Sequence, residues 1–463
     1  MAHLIIIGAG PGGYETALKA AGAGLEVVII EKGELGGTCL NAGCIPTKCL
    51  CHTAEALDTV REVSPAAVPD DVNGILAAAI RRKDEVVEQL RNGIATLMKT
   101  PGITLVRGEA TFRDAHSVCV GDAVYTADNI IIATGSRTKY LPIEGAHADG
   151  VVTSTELLGM TAFPGSTGAD RKPHLCIVGG GVIGMEFASV YRSLGVEVDV
   201  IEYCNEILPS FDRDMAKRLR MALKKRGVNI RVGSAVKRIT PADVQEGRDR
   251  MTVEFDEKGK EQAVSCDMVL MAVGRTANVE SLNLDDIGIE YSSRGITVDD
   301  NMQTSVEGVY AVGDINGLCQ LAHAATFQGQ CALEHILHRG ETAKQALKTI
   351  PSAVFTVPEL AAVGLSEERL NDAGTEYKAL KSFYRSNGKA LSMGAGDGVV
   401  KLLVAADGTL LGAHILGAHA ADLIHEAALL MRHGGKVTDI AATVHVHPSL
   451  GETLLDAARH FRE

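Results

Sequence analysis

The chain opens on a short apolar run, His3-Leu4-Ile5-Ile6-Ile7, that stops at a glycine cluster, Gly8-Ala9-Gly10-Pro11-Gly12-Gly13. Apolar positions at helical spacing follow through Ala17, Leu18 and Ala21. A second apolar run then climbs from Leu25 to Ile30 and ends in Glu31. Short apolar runs bounded by glycine read as buried strands, with the helical spacing between them as a crossover. The same order recurs later: Leu175-Cys176-Ile177-Val178, then Gly179-Gly180-Gly181-Val182-Ile183-Gly184, a helix from Met185, and Val196 to Ile201 closed by Glu202. Between the two units, Asp71 to Lys99 is rich in charges at helical spacing, and Ile80, Val87, Leu90, Ile94 and Leu97 form its expected buried stripe. The polar stretch Phe163 to Pro173 reads as a surface loop. Further apolar runs end in Ala133-Thr134-Gly135-Ser136, in Gly274-Arg275 and in Gly313-Asp314. From about Ile350 the pattern changes. Glycine-punctuated strands, Gly398 to Val404 and Leu411 to Gly417, precede a helix from Ala421 to Met431, which suggests an antiparallel α+β domain.

The repeated unit carries chemistry. Strand, G-x-G-x-x-G, helix, strand, acid is the order that binds a dinucleotide. The glycines allow a tight turn and let backbone N–H groups approach a pyrophosphate, while the acid accepts from a ribose. A lone glycine fingerprint is weak, but here the context is complete and repeated. Glu31 follows Gly13 by 18 positions, and Glu202 follows Gly184 by 18. Two cradles imply two Rossmann-like domains and two dinucleotides. After Glu202 no basic residue appears before Arg213. A 2′-phosphate would meet an acid and no arginine there, so NAD is favoured over NADP.

Between the first cradle and the long helix lies Gly36-Gly37-Thr38-Cys39-Leu40-Asn41-Ala42-Gly43-Cys44-Ile45-Pro46-Thr47-Lys48. A five-residue helical step rises about 7.5 Å, whereas disulfide-bonded Cα atoms stand roughly 4.4–6.8 Å apart. Cys39 and Cys44 can therefore bond only if the backbone bends between them. Asn41 and Gly43 permit that bend, and Pro46 suits the first turn of a following helix. A thiol near a helix start, with Lys48 close by, has its thiolate favoured. By itself C-x4-C would read as two buried cysteines beside a turn.

Near the other end stands Val444-His445-Val446-His447-Pro448-Ser449-Leu450-Gly451-Glu452. Ser449 and Glu452 have the spacing of a capping box. Glu452 can also hold one ring nitrogen of His447, which would orient the imidazole to take a proton near neutral pH. His445 reads as structural.

Composition narrows the rest. The 463 residues suggest about three domains at ~150 each. Apolar residues make up 46% and charged residues 22%, as in an ordinary globular protein. The net charge of −13 and the absence of a basic tract beyond Ile80-Arg81-Arg82-Lys83 argue against a nucleic-acid partner. No apolar run approaches ~18 residues, so no membrane span is expected. The N-terminus leads straight into a strand pattern, and the expectation is a mature chain in a reducing cytoplasm. Cys49, Cys51, Cys119, Cys176, Cys204, Cys266, Cys319 and Cys331 show no framework spacing and read as small apolar residues. The 15 histidines show no metal-ligand spacing beyond His445-x-His447, so no metal is expected.

GGTCLNAGCIPTK resembles the redox-active dithiol of the flavin-dependent pyridine nucleotide-disulfide oxidoreductases, and the ordered motifs extend the resemblance over essentially the whole chain. It implies an α/β fold: two Rossmann-like dinucleotide-binding domains plus a C-terminal α+β dimerisation domain. Residues 1–147 and 275–348 would bind FAD, residues 148–274 would bind NAD, and 349–463 would form the dimer interface. One tightly bound FAD per subunit goes to the first cradle, Gly8, Gly10, Gly13 and Glu31, joined by Gly37 and Thr38. Ala110, Thr134, Gly135 and Ser136 resemble the return to the FAD domain. Asp314 would bond the ribityl chain, and Leu321, Ala322 and His323 would lie along the flavin. NAD goes to Gly179, Gly181, Gly184 and Glu202, with Glu186 on the nicotinamide side; Gly274 and Arg275 end that domain.

The same resemblance implies a Cys39–Cys44 disulfide, with Cys39 as the interchange thiol, Cys44 beside the flavin and Lys48 near its N5. It makes His447, with Glu452, the base, acting on the dithiol of the other subunit of a homodimer, so that a monomer would be inactive. The implied reaction is oxidation of dihydrolipoamide by NAD⁺. The lipoyl group is expected on a lipoyl-bearing protein of a 2-oxo acid dehydrogenase or glycine cleavage complex. Alternatives are a reductase of another small disulfide and a non-catalytic flavoprotein subunit of a multienzyme complex. Glutathione-type enzymes usually carry arginines after the second cradle, which this chain lacks. A mercuric reductase would carry a C-terminal cysteine pair where this chain reads Ala458-Arg459-His460-Phe461-Arg462-Glu463. The family usually has serine at the position of Gly451, so helix rigidity rather than chemistry is expected to differ.

Overall fold

A computed structural model describes residues 2–69, 71–165, 171–243, 250–338 and 347–462. The chain divides into two compact units. The first takes Met1–Cys49, Ile80–Lys139 and Gly274–Leu347; the second takes Leu50–Ala79, Tyr140–Val273 and Lys348–Glu463.

The first unit is built on a seven-stranded sheet. Its order is Ile103–Arg107, Val27–Glu31, Ala2–Ile7, Ala123–Ile132, Ser117–Val120, Ala110–Asp114, and Val309–Ala311 also pairs with Ala123–Ile132. The opening apolar run is a central strand, parallel to both Val27–Glu31 and Ala123–Ile132. Side chains alternate across a strand, and here both faces are covered. Leu4 and Ile6 pack on one face with Ala17, Ala20 and Leu333, while Ile5 and Ile7 pack on the other with Phe112, Leu282 and Ile296. This explains why the run is apolar without alternation.

The expected helix over 71–99 runs Val72–Leu97. Its buried side includes Leu76, Ile80, Val87 and Ile94, but Leu90 and Leu97 are 42% and 45% exposed. At 100° per residue both fall on the rim of the stripe, three positions after Val87 and Ile94, so they do not belong to it.

The second unit holds a five-stranded parallel sheet, ordered Val228–Val232, Glu197–Glu202, His174–Val178, Met268–Met271, Val151–Thr153. It also holds an antiparallel sheet ordered Ser352–Val354, Glu359–Gly364, Leu410–Gly417, Val399–Val404, Lys378–Phe383. The helix Ala420–Arg432 and the last helix, Gly451–Arg459, bury Ile424, Ala427 and Leu454 in that sheet's core. This is the antiparallel α+β arrangement expected after Ile350. Lys401 on its strand Val399–Val404 is fully buried; its Nζ meets Asp212 Oδ1 and, at 2.6 Å, Glu367 Oε2. A buried cation is tolerable only when paired in this way. Of the expected loop from Phe163 to Pro173, residues 166–170 lie outside the described residues. No helix among the described residues is long and apolar enough to cross a membrane.

Candidate active site

In the first cradle the chain itself demands two of the three glycines. Gly8 has φ +107, and a Cβ there would run into the Ala133 carbonyl; a Cβ on Gly13 would run into the Gly8 carbonyl. Gly10 is different. Its backbone is extended, and the nearest atom to an added Cβ is Gly37 Cα at 3.9 Å. The fold leaves room for a side chain there, and the bare backbone fits the close approach that a pyrophosphate requires. Glu31 accepts from the Ala9 N–H at 2.6 Å through Oε2 and from the Gly33 N–H at 2.7 Å through Oε1. A carboxylate has lone pairs to spare for a ribose.

The second cradle repeats this atom for atom. Gly179 has φ +109 and faces the Ala272 carbonyl, and Gly184 faces the Gly179 carbonyl. Gly181 caps the helix Val182–Ser193 in extended conformation and has nothing within 4 Å of an added Cβ. Glu202 accepts from the Gly180 N–H and, at 2.6 Å, from the Cys204 N–H. Glu186, in the second turn of that helix, is buried, and its Oε1 accepts from the Phe355 N–H at 3.0 Å. One turn on, Ser189 Oγ accepts from the Val357 N–H at 3.1 Å.

The dithiol stretch forms two helices, Gly37–Ala42 and Cys44–Val63, broken at Gly43. A Cβ on Gly43 would stand 2.9 Å from the Thr38 carbonyl, so the tight break needs glycine. Asn41, also expected at the bend, is helical instead. Its amide donates to the Leu35 and Gly37 carbonyls, both at 2.9 Å, and its Oδ1 accepts from Arg91 Nε at 3.0 Å and Nη2 at 2.8 Å. Pro46 sits in the first turn of the second helix, as expected. Thr38 is the second residue of the first helix, and a Cβ on Gly37 would lie 2.7 Å from Gly10 Cα, so the dithiol rests directly on the first cradle.

Cys39 and Cys44 are free cysteines whose side chains are hydrogen-bonded to each other. The bond to Cys44, then burial, then negative charge on Cys44 push the Cys39 thiol far above the ordinary thiol range, and Lys48 only partly offsets them. Cys39 thus keeps its proton beside its neighbour's charge, and the thiol that opens the second helix is Cys44.

Three expected residues from distant stretches meet in the first unit. Arg275 Nε donates to Ser136 Oγ and Nη2 to the Ser136 carbonyl, each at 2.6 Å; the Ser136 hydroxyl donates to Asp314 Oδ2. Arg275 also pairs with Asp314 at 3.8 Å. Burial pulls its guanidinium below the ordinary range, while Asp314 and Cys44 act the other way. Thr134 and Gly135 are held by Asn278, whose amide donates to the Thr134 carbonyl at 2.9 Å and whose N–H donates to the Gly135 carbonyl at 3.0 Å. Gly274 has φ +105 and accepts from the Lys139 N–H at 3.0 Å. Leu321 caps the helix Ala322–Ile336, so Ala322 and His323 open its first turn. Ala110 heads the strand Ala110–Asp114, paired with Val120, and packs into the core.

In the second unit His447 Nδ1 and Glu452 Oε1 are 2.9 Å apart, and the Ser449 N–H donates to Glu452 Oε2 at 2.8 Å. One carboxylate thus serves both roles at different atoms. These two partners, the Ser449 N–H first, hold the Glu452 carboxyl below its usual range. Only the acid's half of the capping box forms. The last helix begins at Gly451 with Leu450 as its N-cap and no side-chain cap, because the Leu450 carbonyl closes the first turn with the Thr453 N–H at 3.0 Å. The His447 side chain is 82% exposed. His445 is held at both nitrogens, by Glu426 at 3.2 Å and the Thr443 carbonyl at 3.1 Å.

Residues 2–329 match the family model described as pyridine nucleotide-disulphide oxidoreductase, and residues 350–458 match that family's dimerisation domain. The chain belongs to this family. Two proteins named dihydrolipoyl dehydrogenase, from Bacillus subtilis and Geobacillus stearothermophilus, are 39% and 38% identical to it, each over 98% of this chain and 95% of the relative. Among solved structures, the HOCl-induced flavoprotein disulfide reductase RclA from Escherichia coli superposes with a TM-score of 0.86 at 30% identity, over 99% of this chain and 100% of that one. As a pyridine nucleotide-disulphide oxidoreductase, the chain is an enzyme whose cofactors are FAD and NAD(H). Both cradles fit such dinucleotides, since their middle glycines are required by nothing in the fold.

Some residues at the site carry no motif. Tyr14 is pushed up to about 12 by burial, by Glu15 and by Cys39. Its place just after Gly13 was the only signal for it. Asn41 lay inside the dithiol stretch, but its partner Arg91 is 50 residues away and gave no local sign.

Proposed function

We propose that the chain oxidises protein-bound dihydrolipoamide to lipoamide and reduces NAD⁺, acting as a homodimer in a reducing cytoplasm. The lipoyl group would come from a carrier protein of a 2-oxo acid dehydrogenase or glycine cleavage complex. The observation that carries this reading is the Cys39–Cys44 pair seated against the first cradle, with Gly37 packed on Gly10. The names of the relatives support the substrate.

In this reading residues 148–274 bind NAD, 1–147 and 275–348 bind FAD, and 349–463 carry the subunit interface. Starting from the disulfide form, one substrate thiol gives its proton to solvent, its thiolate attacks the Cys39 sulfur, the Cys39–Cys44 bond breaks, and Cys44 leaves as a thiolate. His447 takes the proton of the second substrate thiol, which attacks the first substrate sulfur and closes lipoamide. Cys39 then leaves and accepts the proton from His447. Its raised affinity for a proton suits that step. Glu452 holds Nδ1 and keeps Nε2 for the transfer. The exposure of His447 suits service to the other subunit's dithiol. Lys48 and Glu186 place charge beside the flavin and the nicotinamide. Bound FAD supplies the two-electron passage from Cys44 to NAD⁺.

The test is anaerobic reduction of NAD⁺ by dihydrolipoamide with FAD-loaded protein, and NADP⁺ in a parallel cell. Turnover with NAD⁺ alone is expected, and Cys44→Ser abolishes it. Turnover surviving in Cys44→Ser would sink the dithiol mechanism. Flavin reduction by NADH with two thiols exposed, but no turnover of dihydrolipoamide, would mean that a different disulfide is the substrate.

A further inference from the structure

The segments expected along the flavin come from two elements of the first unit: the turn Gly313–Asn316, which carries Asp314, and the head of the helix Ala322–Ile336. A side chain of that helix joins them. Gln328, fully buried in the second turn of that helix, accepts through Oε1 from the Gly313 N–H at 2.7 Å and from Asn316 Nδ2 at 2.9 Å. Asn316 passes the restraint on. Its Nδ2 also donates to the Ala311 carbonyl at 3.0 Å, and its Oδ1 accepts from the Leu318 N–H at 3.0 Å. The turn has little slack, because a Cβ on Gly313 would stand 3.0 Å from Ala325 Cβ. The Gln328 amide nitrogen is buried with no acceptor.

An unsatisfied buried amide donor costs the folded chain stability. What the same amide gains lies entirely at Oε1, where it takes two donors from the turn that presents Asp314. We propose that Gln328 is a positioning residue for FAD, fixing the register between Asp314 and the helix head so that both meet the cofactor together. This rests on the reading that these segments contact FAD. An apolar side chain at 328 would leave the Gly313 N–H and Asn316 Nδ2 without their acceptor. The turn would relax to satisfy them, and FAD would then bind only the fraction of molecules in the original register. Glutamate would keep the acceptor and remove the orphaned donor.

The experiment measures FAD release from the holoenzyme by flavin fluorescence on dilution, and the melting of the apoprotein by circular dichroism. Gln328→Leu is expected to bind FAD about tenfold more weakly, and Gln328→Glu to restore wild-type retention. If Gln328→Leu fails to fold, Gln328→Asn, too short to reach both donors, carries the same comparison. An apoprotein of lowered melting temperature that still holds FAD as tightly as wild type would overturn the inference, as would a Gln328→Glu variant that loses FAD like the leucine. Wild-type protein unable to bind FAD would instead overturn the proposed function, and the inference with it.

Discussion

In the first cradle the acid, Glu31, is half-buried and is followed by Lys32 and Gly33; in the second, Glu202 is buried and is followed by Tyr203 and Cys204. Lys32 is committed to Glu109 at 2.9 Å, and Tyr203 is 78% exposed. The phosphate ends of the two cradles, by contrast, are copies: the same two glycines face the same two kinds of carbonyl, and the same N–H after the first glycine binds the acid. Closing a strand onto a helix through so tight a turn leaves few solutions, so that end is set by backbone geometry. The ribose end is set by side chains and is free to differ. The lysine after the first acid is paired with Glu109, and after Glu202 no basic residue follows before Arg213.

The glycines give the strongest way to break the comparison. Gly13→Ala and Gly184→Ala each drive a Cβ into a backbone carbonyl that cannot move without its strand. Each is expected to cost more than about 3 kcal/mol, read as loss of soluble protein or a large drop in denaturation midpoint. Gly10→Ala and Gly181→Ala meet no such atom. Their melting without cofactor should drop only slightly, since alanine caps a helix less well than glycine, while dinucleotide affinity falls about ten- to a hundredfold. The two should also separate by cofactor: Gly10→Ala releases flavin, whereas Gly181→Ala keeps flavin that dihydrolipoamide still reduces but NAD⁺ no longer reoxidises. Equal loss of both functions in either variant would mean that the cradles do not serve different cofactors.

A smaller effect tests the acids. Glu202→Gln replaces one accepting oxygen by a donor facing either the Gly180 or the Cys204 N–H. The lost bond and the new repulsion should raise the KM for NAD⁺ about tenfold with flavin content unchanged. Glu31→Gln should do the reverse, hastening flavin release while leaving the KM for NAD⁺ alone. If Glu202→Gln lowered flavin content instead, the assignment of the cradles would be exchanged.

The cradles were legible because everything that defines them is local: glycines, a helix start and an acid within a few dozen residues. The parallel strands were legible for the same reason, as unbroken apolar runs covered on both faces. What was not legible lies in long-range meetings. Ser136, Arg275 and Asp314 were each marked by a short motif, but their mutual bonds span 139 and 178 residues. Gln328 carried no motif, since its partners are a backbone N–H and another amide. Leu90 and Leu97 show the limit of reading a helix by its apolar residues alone. The stripe was right in period and too wide by one row. The bend at Gly43 that brings Cys44 beside Cys39 was legible from the glycine, but which of the two thiols holds its proton depends on burial and on their mutual bond, which no local pattern shows.

Gly451 makes a third kind of glycine, and the mildest test. It opens the last helix, its φ is not in the left-handed region, and an added Cβ would rest 3.4 Å from His445 Cδ2 and 3.7 Å from Ser449 Oγ, both ordinary contacts. Unlike Gly13 it is not demanded by the fold, and unlike Gly10 it belongs to no glycine cradle. Its flexibility therefore serves no contact, and it burdens the unfolded chain with extra freedom that folding must remove. Gly451→Ala and Gly451→Ser should each raise stability by about 0.4–1 kcal/mol, seen as a small upward shift in the denaturant midpoint with an unchanged slope. Turnover should stay near wild type, because the His447–Glu452 bond is made by side chains that the new Cβ does not touch. A gain in stability with a loss of turnover would show instead that the helix start must flex while His447 carries its proton.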